Sequence, residues 1–97
     1  MTDYSEMSDF EVNKAVAFHI GLTTYRNAEE GSFNPCNNPA DAWPIIVKNR
    51  IHIDPPLRDF HPWKADRGIA FQCQHDNPLR AAMVVFLKLI GAENADS

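Results

Sequence analysis

Ninety-seven residues carry nine Lys and Arg against thirteen Asp and Glu, a formal net charge of −4, and 44% of them are hydrophobic. That length holds a single domain with one modest core, expected over about residues 8–91 between a short acidic N-terminal arm and a flexible C-terminal tail. Four Gly, seven Pro and the apolar fraction exclude a collagenous, low-complexity or largely disordered chain.

Ser8-Asp9-Phe10-Glu11 forms a capping box, since Glu11 at the third helical position reaches back to the Ser8 amide. Val12, Ala15, Val16, His19 and Ile20 follow at helical spacing, which predicts a helix over about residues 9–20 with a left-handed stop at Gly21. Leu22 to Arg26 is expected as a short extended strand, and residues 27–38, rich in Asn, Gly and Pro, as a loop. Asn38 suits a helix cap and Pro39 the first helical position of a segment running to about Asn49. Pro44 leaves its start open. A helix begun at Pro39 loses an internal hydrogen bond at Pro44, at a cost of about 3 kcal/mol. One capped by Asp41 places Pro44 harmlessly in its first turn.

Ile51-His52-Ile53-Asp54 alternates as a short strand with both isoleucines inward, ended by Pro55-Pro56. Trp63–Ala65 and Ile69–Gln74 read as a hairpin joined by Asp66-Arg67-Gly68, with Ile69, Phe71 and Cys73 sharing one face. In the last helix Asn77 caps, Pro78 opens and Gly91 stops. Leu79, Ala82, Met83, Phe86, Leu87 and Ile90 make its stripe; Ala81, Val85 and Leu89 widen it, leaving Arg80, Val84 and Lys88 on the remaining side. Such a helix is central to the fold or shared with a second copy, so the chain is expected as a monomer or a homodimer through this helix; a small domain's need for a spine favours the first. The predicted fold is α+β, about three helices on a small, mainly antiparallel sheet of two to three short strands.

Four pieces stand in order along the chain: Phe33-Asn34-Pro35, Asp41-Ala42-Trp43-Pro44-Ile45-Ile46, Trp63-Lys64-Ala65, and Asn77-Pro78-Leu79-Arg80-Ala81-Ala82-Met83. Together with the opening Met1-Thr2-Asp3-Tyr4-Ser5 and Phe10-Glu11, this set resembles the NinX-like family of small phage and prophage proteins, related to the phage ABA sandwich domain. The resemblance spans about residues 1–90. It implies helices packed on a small antiparallel sheet and a phage origin, and it carries no catalytic residue over to this chain.

The candidate chemistry is sparse. No apolar run reaches the eighteen or so residues of a membrane span, and the acidic start is unlike a signal peptide, so the expected location is the bacterial host cytoplasm, with Cys36 and Cys73 as free thiols. Between Pro44 and Arg80 six bases interleave with four acids, too diluted for the basic stripe a nucleic-acid binder needs. Cys73-x-His75, completed by Cys36 and His61, lacks the paired spacings of a zinc centre, so no metal is expected. Cys36 sits just before a helix start, a setting that lowers a thiol pKa, but no catalytic pattern surrounds it, and His19 reads as a neutral histidine at the core's edge. The sharpest constellation is the pair of Asn-Pro helix starts, Asn38-Pro39 and Asn77-Pro78, with Trp43, Trp63 and Arg80 as neighbours. Should both termini meet, their amides form a nucleotide-sized anion pocket; otherwise the asparagines are caps and the tryptophans core. The expected function is therefore a non-enzymatic phage accessory protein, without cofactor, that binds a host or phage protein. The alternative is a binder of a small anionic ligand at Asn38, Trp43, Trp63, Asn77 and Arg80.

Overall fold

The computed structural model describes residues 4–56 and 62–95. After a single 3₁₀ turn (Tyr4–Glu6) come α1 (Asp9–Ile20), α2 (Leu22–Glu30), α3 (Pro39–Asn49), β1 (His52–Asp54), β2 (Trp63–Asp66), β3 (Gln72–His75) and α4 (Pro78–Ala95). The fold is α+β, with four α-helices where three were expected. The strands form one antiparallel sheet in the order β1-β2-β3, with Ile53 opposite Ala65 and Ala65 opposite Cys73 on the face turned to the core.

The long helix α4 lies in the middle. It packs against all three strands on one side and against α1 and α3 on the other. Two covered sides leave little of it for solvent, and every residue from Arg80 to Leu87 is buried. That geometry corrects the solvent-side placement of Arg80 and Val84, which are 6% and 4% exposed. Lys88 is half-buried, and its Nζ donates to the Gln72 carbonyl at 2.7 Å.

Local chemistry sets most of the boundaries. The Ser8 capping box forms, with Glu11 N–H donating to Ser8 Oγ at 3.1 Å. Asn38 caps α3, accepting from the Ala40 amide at 3.0 Å, so the helix starts at Pro39 and carries Pro44 in its interior. β1 keeps Ile51 buried just ahead of it and Ile53 packed on the core.

Four expectations fail for physical reasons. Leu22–Arg26 is helical: Tyr25 N–H donates back to the Gly21 carbonyl, Ala28 is buried, and Gly31 closes α2 in the left-handed conformation (φ 87°). The pull of Thr23, Thr24 and Tyr25 toward a strand gives way to the helix formers that follow and to the packing of α2 on α1. Gly21 itself is extended (φ 159°, ψ 166°) rather than left-handed, which turns the chain from α1 straight into α2. The hairpin loop is longer than three residues, because Asp66 pairs with Gln72 and Phe71 N–H donates to the Gly68 carbonyl around a turn. Ile69 thus stands at the loop tip, 92% exposed, instead of facing inward with Phe71 and Cys73. Gly91 does not stop α4, which runs on to Ala95; a single glycine costs a helix only about 1 kcal/mol. Among the described residues no helix is long and apolar enough to cross a membrane.

Candidate functional site

The Asn-rich loop between α2 and α3 is stapled into place from several directions. Asn13, buried on α1, donates to Asn34 Oδ1 at 2.7 Å and accepts from the Cys36 amide at 3.0 Å. The Asn34 amide in turn donates to Asp41 on α3 at 2.9 Å. Asn77, at the start of α4, donates to the Cys36 carbonyl at 2.6 Å and to Asn37 Oδ1 at 3.3 Å, while its own Oδ1 accepts from the Leu79 amide. The two Asn-Pro helix starts are therefore brought together through residues 36 and 37.

The remaining members of that constellation go elsewhere. Arg80 is a buried clamp: Nη1 donates to Asp9 Oδ1 at 2.6 Å, and Nη2 to the carbonyls of Tyr4 and Met7 at 3.0 and 2.6 Å. The hydrogen bond from Arg80 holds the Asp9 carboxyl below its ordinary range, against the opposing effect of burial. Trp63 opens β2, half-buried opposite His75, and Trp43 stands 62% exposed on α3 rather than in the core. Asn38 is an exposed cap tied to Asp41.

Thiol chemistry has no foothold at Cys36, which is fully buried, and burial followed by the charge of Asp9 pushes its pKa up to about 12. Burial also raises Cys73. Of the Cys36, His61, Cys73 and His75 set weighed for zinc, Cys36 lies in the core, His75 Nδ1 accepts from the Asn77 amide at 2.9 Å, and His61 lies outside the described residues.

What composition did not point to is a groove of about 620 Å³ bounded by α1, α2 and α3 and floored by Phe86 and Ile90 of α4. Phe33, Pro44 and Ile45 supply apolar walls, and His19, Asp41 and Lys48 supply polar positions. None of Asn38, Trp43, Trp63, Asn77 and Arg80 lines it. His19 is exposed there, edge-on to Phe18 and Phe86 at centroid distances of 5.4 and 6.5 Å. Along α3, Ala40, Trp43, Pro44 and Val47 fall on one helical face, of which Ala40 and Pro44 line the groove while Trp43 and Val47 are exposed. At the α1–α2 corner Phe18, Ile20 and Leu22 are 70%, 47% and 68% exposed, and of these Ile20 lines the groove. The signal for this surface was present in the sequence as apolar residues off the core stripes, Phe18 and Trp43 above all.

The family model described as "Bacteriophage P22, NinX" matches residues 3–89. None of the curated proteins and none of the solved structures matches the chain.

Proposed function

The chain belongs to the bacteriophage P22 NinX family, and from that premise we propose that it is a non-enzymatic phage accessory protein that acts in the host cytoplasm by docking onto a host or phage protein. One observation carries this reading: large apolar side chains, Phe18, Ile20, Leu22, Trp43 and Val47, stand exposed on the same helices that bound a preformed groove. A scattered surface leucine needs no explanation, but grouped aromatic and aliphatic side chains beside a concave apolar surface are the usual mark of a binding face. The tryptophan at position 43 is the kind of rigid aromatic anchor that dominates such interfaces. The inert state of the Cys36 thiol and the structural role of Arg80 support a binding role over catalysis.

The test compares wild-type protein with the double variant Leu22→Glu/Trp43→Glu, two exposed positions whose change leaves the core intact. Crosslinked pull-downs from infected host cells are expected to return a stoichiometric partner with the wild type and to lose it with the variant, at unchanged circular dichroism. Equal retention by both proteins, or no stoichiometric partner with either, overturns the reading.

The alternative, a small anionic ligand at the paired helix starts, draws support from the contact between Asn77 and Asn37. It is the weaker of the two because Arg80 already spends its donors on Asp9, Tyr4 and Met7. A nucleotide bound there at 100 times its Kd would stabilise the fold by about 2.7 kcal/mol, which a thermal-shift screen reads directly.

A further inference from the structure

The sheet face turned away from α4 carries a group that neither the docking surface nor the helix starts involve. His52 and Asp54 are alternate residues of β1 and so project to the same side, and the register sets His52 directly opposite Asp66 on β2. Their ligand atoms all lie within 4.8 Å of one another, with His52 Nε2 and Asp54 Oδ1 2.9 Å apart. We propose that His52, Asp54 and Asp66 bind one divalent transition-metal ion of the zinc, nickel or cobalt class.

The donor set argues for that class. Imidazole nitrogen favours zinc, nickel, copper and cobalt, whereas calcium and magnesium prefer shells made of oxygen alone. Two carboxylates and a neutral imidazole also balance the charge of a divalent ion. Donors at about 2.0–2.2 Å from zinc lie about 3.4 Å apart in a tetrahedron, so side-chain rotations suffice to close the shell. The backbone does the positioning, because β2 is the central strand and is paired on both sides. Asp66 has a competing partner in Lys64 Nζ at 4.0 Å, a contact long enough for the ion to replace. Three protein ligands leave at least one coordination position facing solvent, since the side chains of His52 and Asp54 are 66% and 44% exposed. A bound ion would pin the edge strand β1 to β2 and present that open position to water or to a donor from another molecule.

Calorimetric titration of the full chain with zinc, nickel and magnesium chlorides tests the site. One zinc or nickel ion per chain is expected, with a raised thermal midpoint, and no response to magnesium. His52→Ala and Asp66→Asn are each expected to weaken binding by more than about tenfold, while the metal-free midpoint and circular dichroism stay at their wild-type values. Cobalt adds a spectroscopic readout: visible d–d bands without a sulfur-to-cobalt charge-transfer band, because neither cysteine takes part. Absence of binding, unchanged affinity in the two variants, or a thiolate band in the cobalt spectrum overturns the proposal.

Discussion

Arg80 ties the two ends of the chain together. Its partners Tyr4, Met7 and Asp9 precede α1 or open it, more than seventy positions away in sequence, and the guanidinium between them is buried. Arg80→Ala removes the guanidinium donors to Asp9 and to the Met7 carbonyl, while the Tyr4 carbonyl keeps the Met7 amide, and is expected to cost about 2–3 kcal/mol, read as a lower urea midpoint at pH 7. Asp9 adds a pH dependence of definite sign. Because its folded pKa lies below the unfolded value of 3.8, its contribution is present in full above that value and is lost as pH falls through the folded pKa. The difference in stability between wild type and Asp9→Asn is therefore expected to hold steady at neutral pH and to shrink below about pH 4 in a series of urea titrations. Helical periodicity placed Arg80 on the solvent side because a period records polarity alone. It does not record that a distant carboxylate and two carbonyls will cover the residue.

Elements whose determinants are local were legible in the chain. The capping box at Ser8 and Glu11 and the Asn77-Pro78 start rest on residues within a turn of one another and form as expected, and the structure decides the open start of α3 in favour of Asn38-Pro39 over an Asp41 cap. The helix α2 was not legible, since Leu22-Thr23-Thr24-Tyr25 favours a strand and only the docking of α2 against α1 decides otherwise. The same holds for the hairpin, where the alternation of Ile69, Phe71 and Cys73 mimics a strand that the Gly68 turn interrupts. The end of α3 shows a local choice left suboptimal. Arg50 closes it in the left-handed conformation (φ 54°), with its amide donating to the carbonyls of Ile46 and Val47. A side chain in that conformation is strained where glycine is not. Arg50→Gly is expected to raise stability by about 0.5–1 kcal/mol, measured as a higher midpoint in urea or on heating.

At the scale of the whole molecule, the sheet and the helices α1 and α3 are joined mainly through α4, which among the described residues makes the main helix–sheet contacts. This arrangement explains why α4 is apolar nearly all round without invoking a second copy: its faces are already covered inside one chain. It also explains why the groove's shape was not legible in the sequence, even though exposed apolar residues such as Phe18 and Trp43 were, because its floor on α4 and its walls on α1, α2 and α3 come together only after these helices assemble. A shared central helix has an energetic consequence. Met83 is fully buried among the largest core side chains and lies in the first half of α4. Truncating it opens a cavity in the core that α4 shares with its neighbours, so Met83→Ala is expected to cost about 2–5 kcal/mol, a large share of the roughly 5–15 kcal/mol that holds such a domain together. Because α4 is the main link between the layers, the loss is expected to be felt in both. Tryptophan fluorescence reports on both sides of α4, from Trp43 on α3 and Trp63 on β2, and far-ultraviolet circular dichroism reports mainly on the helices. In the variant both signals are expected to shift to the same lower urea midpoint, and non-coincident transitions would show that the layers do not unfold as one unit.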